Sequence, residues 1–356
     1  MTGIHQVLAG ASPGDAITSA ALELRDLLRQ VGPSEVYARH VVPALAHEVR
    51  SLSKYPTRSS RDVLIYHASI GEPQVHAFLL SRREPIVVVY HNVTPAGYFV
   101  PWDTAFAELL ELGRSELVDL QHRVIAAVAD STFNAVELEA MGYSDVLVIP
   151  PVLDPHRLVG IEPHAPTLSH LDNAMEGPFL LFVGQLLPHK RPDFLVKAMH
   201  VATTYLDVDA YLMLVGHTRL PSYSSAIDEK IRELNLPRVH LMGAIDESRL
   251  AAMYSRAQAF VTASEHEGFC VPLLEAMAFG VPVVARRFAA IPETLGGAGI
   301  LIPGEDGPSL FAEAVADVLE TPALREELVL RGKERVGAFD RSPSQSKVLR
   351  LLLDVI

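Results

Sequence analysis

A single cysteine, Cys270, is all the thiol chemistry this 356-residue chain offers. That excludes an intramolecular disulfide and any metal site built from clustered thiolates. Positive charge is also short: 30 Lys and Arg stand against 43 Asp and Glu, a formal net charge of −13. This balance speaks against a nucleic-acid binder as a whole, while leaving local patches open. No apolar run reaches the roughly 18 residues that span a bilayer. The opening "MTGIHQVLAGASPGD" lacks a basic region followed by an apolar core and cleavage site, so it does not read as a secretion signal. A soluble, cytoplasmic protein is expected. Low-complexity segments and internal sequence repeats are absent as well. What is present is a folding composition, 49% apolar and 21% charged, on a chain long enough for two domains of about 150 residues each.

Short β-like runs alternate with helical stretches through the first half: "IHQVLAG", "EVYARHV", "DVLIYHAS", "PIVVVYHN", "VIAAVAD" and "DVLVIPP". Helices are expected where Ala20, Leu24, Leu27 and Leu28 recur at helical spacing, and around 71–81, 102–120 and 134–141. The segment 156–177, rich in Pro, His and small residues, reads as a linker. After it the alternation restarts with "FLLFVGQ", "AYLMLVG", "VHLMGAI", "AFVTAS", "PVVARR" and "GILI". The expected organisation is an N-terminal domain over 1–155, a C-terminal domain over 178–340, and a closing helix over 341–356 that packs back on the N-terminal domain. Each domain is a doubly wound α/β unit with a mostly parallel sheet. Ligands in such folds lie beyond the carboxyl ends of the strands, and two such edges can face one another across a central cleft.

"SEHEGFCVPLLEAMAFGVPVVA" is an odd way to write a buried segment, because Glu267 and Glu275 bracket an almost wholly apolar stretch. The strand ends at Ser264 and Pro272 suits the first turn of the next helix, so Glu267, Gly268, Phe269 and Cys270 form the strand-to-helix loop. Gly268 lets the backbone approach a ligand, and the free N–H groups of the helix start suit a phosphate. Two carboxylates flanking a phosphate site make sense if each accepts hydrogen bonds from hydroxyls on either side of a diphosphate, a sugar on one side and a ribose on the other.

At these residues the chain resembles the retaining glycosyltransferases of family 4, whose signature is two glutamates with seven residues between them on the two-Rossmann-domain GT-B fold. The resemblance covers the whole C-terminal domain, from "FVGQLLPHKRPDFLVKA" to "IPETLGGAGILI", and matches the N-terminal half only in outline. It implies that Glu267 contacts the transferred sugar and that Glu275 holds the ribose hydroxyls. In "VGQLLPHK" it implies that Lys190 neutralises the leaving diphosphate. Gln185 stands where family members usually carry an arginine, so leaving-group stabilisation leans on Lys190, helped by His189, Arg191 or helix dipoles. Met242, Gly243, Ala244 and Ile245 are where the base should lie against backbone groups.

In the N-terminal half, "LAGASPGD" is a strand, a small-residue loop and a helix start, where Gly10 or Gly14 lets the backbone meet phosphates; the resemblance carries Gly14 over. It also gives His91, at the end of "PIVVVYHN", a place near the reacting sugar or acceptor, as a group that positions and stabilises. His67 shares that edge as a weaker candidate. The implied reaction is a front-face transfer of a hexose to a hydroxyl acceptor (a saccharide, a lipid-linked saccharide or a small molecule), with no metal and no cofactor. "YHNVTPAGYF" resembles bacterial surface-polysaccharide mannosyltransferases, which favours GDP-mannose over a UDP-hexose as donor. Asp207 and Asp209 mimic a metal-binding Asp-x-Asp but precede a strand, at the wrong edge of the sheet. "EVRSLSKYPTRSSR" is locally basic and suits an anionic acceptor or, at most, peripheral membrane contact. Two alternatives remain: an epimerase of the same fold, and a non-catalytic sugar-nucleotide-binding subunit.

Overall fold

The computed structural model describes residues 2–56, 62–173, 175–339 and 345–351. It divides into unit 1, which holds the chain up to Asp154 together with the stretch from Phe339 onward, and unit 2, Pro155–Ala338.

Unit 1 is built on β1 (Ile4–Ala11), β2 (Val36–Val41), β3 (Val49–Ser51), β4 (Val63–Ala68), β5 (Ile86–Tyr90), β6 (Val124–Ala129) and β7 (Leu147–Val148). The strands lie in the order β3-β2-β1-β4-β5-β6-β7, and every neighbouring pair is parallel. Unit 2 repeats the plan with β8 (Phe179–Val183), β9 (Tyr211–Val215), β10 (Val239–Gly243), β11 (Ala259–Thr262), β12 (Val283–Arg286) and β13 (Ile300–Ile302), ordered β10-β9-β8-β11-β12-β13 and again parallel throughout. Both are Rossmann-like α/β domains. Runs such as Ile86–Tyr90 and Phe179–Val183 are apolar at successive positions because helices cover both faces of a parallel sheet.

The crossover helices start where side chains can satisfy their free amides. Asp15, Asp103, Ser131 and Asp246 each accept from a backbone N–H of the first turn. In unit 1, Leu24, Leu27 and Leu28 of the helix Ala16–Leu28 pack on Ile4, Val63, Ile65, Val87 and Val128. Val348, Leu349 and Leu351, in the helical stretch 345–351, lie against the same core. The rest of the expected closing helix, 341–344 and 352–356, falls outside the described residues.

Two segments differ from their sequence reading. The expected linker 156–177 is counted with unit 2 and contains a helix, Ala165–Asn173. It is tied to the helix Glu247–Arg256 by His164 N–H to the Ser248 carbonyl (3.0 Å) and by Arg256 to both oxygens of Asp172 (2.7 and 3.2 Å). Pro166 sits in the first helical turn, where its missing N–H costs nothing. The basic run around Arg50 contains the short edge strand β3, and Arg50 donates to Glu35 (3.1 Å); its residues 57–61 lie outside the described ones. Among the described residues no helix is long and apolar enough to cross a membrane.

The strand orders create one switch point per sheet. In unit 1 the chain leaves β1 for β2 on one side, and β4 lies on the other; in unit 2, β8 is flanked likewise by β9 and β11. Crevices at the carboxyl ends of such strands are where doubly wound folds bind ligands. In unit 2 this edge is tightly zipped: Gly184 N–H donates to Val215, Gly216 N–H to Gly243, and Leu186 N–H to His217. Gly216 has φ +152, and an added Cβ would lie 1.9 Å from the Gly184 carbonyl oxygen. Gly216→Ala should therefore destabilise unit 2 by about 2–4 kcal/mol, read as a lowered denaturant midpoint; an unchanged midpoint would show that the edge can separate without cost.

Candidate active site

The unit 2 switch point brings together the two loops that the sequence singled out. Lys190 follows β8 and Glu267 follows β11, and Lys190 Nζ donates to Glu267 Oε1 at 2.6 Å. The side chains are 20% and 10% exposed, so the pair is shielded but reachable. A backbone bond from Glu265 N–H to the His189 carbonyl (2.8 Å) fixes one loop on the other. Gln185 is exposed, and its side chain has no partner among the described residues.

The neighbours named as helpers of Lys190 are committed elsewhere. Arg191, at φ 52, bonds Asp193 through Nε (2.9 Å) and Nη2 (3.2 Å) and pairs with Glu265 through Nη1. Tyr223 also donates to Asp193 (3.3 Å), and Arg286 donates to Glu265 (3.0 Å) while its guanidinium lies over Phe194. These ion pairs brace the loop from the side. His189 is buried, and burial, with Lys190 and His266 adding to it, holds its imidazole well below the usual histidine range. It is neutral at pH 7. Lys190 is the cation of this loop that remains turned to Glu267.

Glu267, Gly268, Phe269 and Cys270 form the strand-to-helix turn, and the helix Val271–Ala278 follows. Thr294 holds the Phe269 carbonyl (2.5 Å), and Ala290 N–H donates to the Glu267 carbonyl (3.3 Å). Cys270 caps the helix at φ 69. Burial and the nearby Glu267 carboxylate push its thiol well up, so it is not a nucleophile at neutral pH. Glu275 lies one turn into the helix, where its Oε2 accepts from Tyr254 Oη at 2.9 Å. Burial raises the Glu275 carboxyl above its ordinary value, with the Tyr254 hydroxyl and Arg157 acting against the rise. Tyr254 is fully buried, stacked on Phe279 with ring centres 5.4 Å apart. Of the backbone expected to meet a base, Met242 and Ala244 are exposed, Gly243 has φ 66 with open space at its Cβ, and the Gly243 carbonyl is already bonded to Gly216. Asp207 and Asp209 stand before β9, at the opposite edge, with Asp209 paired to Arg238 (3.0 Å). Among the described residues no group of His, Cys, Asp or Glu is arranged to hold a metal.

In unit 1, Gly14 follows β1 at φ 74, with nothing within 4 Å of its Cβ position, directly before the Asp15 cap. His67 is the last but one residue of β4, and His91 follows β5 with its backbone N–H on Ala68 (3.0 Å). Their rings are joined, His67 Nδ1 to His91 Nε2 at 2.7 Å, and His91 Nδ1 meets Asp130 Oδ2 at 2.7 Å. The loop carrying His91 is held by Asn92 on Asn134 (2.8 Å) and by Arg114, which bonds the Val93 carbonyl (2.6 Å) and Glu137 (2.9 Å). Sequence reasoning missed Asp130, Arg157 and Tyr254. Asp130 is the last residue of "VIAAVAD" and could have been found by its place at a strand end; the other two left no signal.

An ion pair at a switch point with a second, half-buried carboxylate one helical turn on is the arrangement against which known proteins can be compared. Residues 169–335 match the model of the family "Glycosyl transferases group 1". It is 27% identical over 362 residues to the phosphatidyl-myo-inositol mannosyltransferase of Mycobacterium leprae, covering 97% of this chain and 87% of that one. It is 30% identical over 254 residues to the D-inositol 3-phosphate glycosyltransferase of Frankia alni, covering 67% of this chain and 60% of that relative. Among solved structures, Anabaena HepE in complex with UDP and glucose superposes with a TM-score of 0.79 at 16% identity, over 99% of this chain and 100% of that one. Sucrose-phosphate synthase of Thermosynechococcus elongatus gives 0.76 at 20% identity, over 100% and 99%. The fold is theirs: two Rossmann-like domains of the GT-B type.

The raised Glu275 carboxyl has a consequence for stability. A folded-state value above the unfolded one makes the protonated form favourable, so that contribution is present at low pH and is lost as pH rises through the folded value. Glu275→Gln should therefore raise the melting temperature at pH 7 relative to wild type, with the gain shrinking toward pH 4; an equal shift at both values would remove burial as the cause.

Proposed function

We propose that the chain transfers a hexose from a nucleotide diphosphate sugar to a hydroxyl acceptor with retention of anomeric configuration. The observation that carries this reading is the Lys190–Glu267 pair at the unit 2 switch point, inside a group 1 glycosyltransferase domain. A lysine ammonium has three N–H donors. One bonds Glu267, leaving the others for the oxygens of a diphosphate. Glu267 then offers its remaining lone pairs to hydroxyls of the transferred sugar, and Glu275 offers Oε1 to the ribose while Tyr254 holds Oε2. In the transfer, the bond from the anomeric carbon to the phosphate oxygen breaks and the acceptor oxygen bonds that carbon on the same face. The acceptor proton passes to the leaving phosphate oxygen. Unit 1 takes the acceptor, with His91 as the positioning group.

The printed name of the Mycobacterium leprae relative supports mannose, so GDP-mannose is the favoured donor and a UDP-hexose the next. Inositol-type polyols join saccharides as candidate acceptors, since both named relatives act on inositol-containing compounds. A thermal-shift panel of GDP, UDP, ADP and dTDP with their sugars identifies the donor, because a ligand that binds only the folded state raises the melting point. No shift with any of them would remove the reading.

Glu275→Ala should weaken nucleoside diphosphate binding about ten- to a hundredfold, the loss of a charged hydrogen bond, while Glu267→Ala chiefly lowers turnover. Calorimetry decides: unchanged affinity in the Glu275 variant removes the ribose assignment. Lys190→Ala should cost more turnover than Gln185→Ala, and the reverse ranking moves the phosphate site elsewhere. The proposed reaction needs no metal, so transfer should survive excess EDTA; complete loss restored by magnesium or manganese would overturn that part.

A further inference from the structure

Four polar side chains of the unit 1 sheet, Gln6 within β1 and His67, His91 and Asp130 toward the carboxyl ends of β4, β5 and β6, form one chain of hydrogen bonds whose direction Gln6 sets. Gln6 Nε2 donates to the Ala21 carbonyl (2.9 Å), and a carbonyl can only accept, so Gln6 turns its Oε1 to His67. His67 Nε2–H must therefore donate to Gln6 Oε1 (2.8 Å). His67 is fully buried, and burial, reinforced by His91, holds it well below the usual histidine range. Its Nδ1 thus carries a lone pair, and His91 Nε2–H donates to it (2.7 Å). The other ring nitrogen, His91 Nδ1, faces Asp130 Oδ2 at 2.7 Å. A carboxylate can only accept, and a carboxyl group loses its proton to an imidazole in the ordinary order of acidities.

We infer that Asp130 is a positioning residue that keeps His91 doubly protonated, an imidazolium locked between Asp130 and the neutral His67. The inference rests on the transfer reading above for its effect on turnover, and for the protonation state on the hydrogen-bond geometry together with the burial that keeps His67 neutral. Gln6 sets the direction of the whole chain from the core side, 61 positions before His67. Asp130 depends on His91 in turn: it is buried, and its Oδ1 has no hydrogen-bond partner. Besides His67, His91 and Asp130, the side chains around the small cavity they border are aliphatic or proline, from β4, β5, β6, the segment after β7 and the helices that cover them. Among the described residues no second carboxylate or cation lines it to take over either role. With both nitrogens engaged and the side chain about 5% exposed, His91 cannot swing to accept a proton. It acts by its fixed positive charge at the strand end of unit 1, beside the place the proposed acceptor takes.

Nitrogen NMR of histidine-labelled protein at pH 7 tests the protonation directly. The expected spectrum has His91 with both nitrogens protonated and His67 as a neutral ring protonated on Nε2. Asp130→Asn keeps the shape, and its amide can donate to His91 Nδ1, so the hydrogen bonds persist while the charge does not. His91 should then become neutral, and turnover should fall about ten- to a hundredfold with donor KM within about threefold. Asp130→Glu should recover part of the turnover and the imidazolium signal. A neutral His91 in the wild type, or Asp130→Asn with wild-type turnover, would overturn the inference. Should the wild type transfer no sugar, the transfer reading fails, and the nitrogen spectrum still decides the state of His91.

Discussion

The contact between Lys190 and Glu267 is the constraint on which the unit 2 site depends. Each is a charge withdrawn from water, and each is tolerable there because the other is 2.6 Å away. Truncating one member of a buried pair leaves the other uncompensated, a cost that reaches about 3–5 kcal/mol in fully buried cases. The pair also balances the electrostatics of the proposed chemistry. A diphosphate is repelled by Glu267 and drawn by Lys190, and a lysine that serves both keeps the carboxylate from opposing the anion. The carboxylate is thereby free to meet hydroxyls, which it accepts from without any change in charge.

Around that pair the loop is stiffened by charges that do not face it. Arg191 and Arg286 converge on Glu265, Asp193 holds Arg191 from the other side, and Tyr223 closes the group. A left-handed backbone at Arg191 is held in place by these bonds. The result is a division of labour among neighbouring cations. Arg191 fixes the loop, His189 is an uncharged buried residue, and Lys190 alone of the three points its charge at the site carboxylate. Gln185, exposed and uncharged, adds no cation to that arrangement.

Unit 1 solves a similar problem with different chemistry. Its buried carboxylate, Asp130, is compensated by an imidazolium instead of an ammonium, and the proton order is set from within the core by an amide, Gln6. The rigidity of His91 comes from three directions: its ring from Asp130 and His67, and its loop from the Asn92, Arg114 and Glu137 cluster. In unit 2 Lys190 and Glu267 lie at strand ends on either side of the switch point, whereas in unit 1 His67, His91 and Asp130 lie toward the ends of β4, β5 and β6 on one side of it.

The strands were legible in the sequence, because runs such as "IVVVY" and "FLLFV" can be buried on both faces only in a covered parallel sheet. The start of the helix after β11 was legible too, from Pro272 in its first turn. So were the places of Lys190 in the loop after β8, of Glu267 in the turn after β11 and of Glu275 one turn into the helix that follows. Strand order was not legible. It alone sets β8 beside β11 and closes the 77 positions between Lys190 and Glu267, and local pattern holds no record of which distant strands pair. The same reason hid Tyr254 and Arg157, ordinary in their own segments and significant only against Glu275, and it made a helix with Pro166 in its first turn look like a linker. Sequence determined the elements and the reactive groups they end in; tertiary structure decided which charges meet, which are already committed, and on which nitrogen a proton can sit.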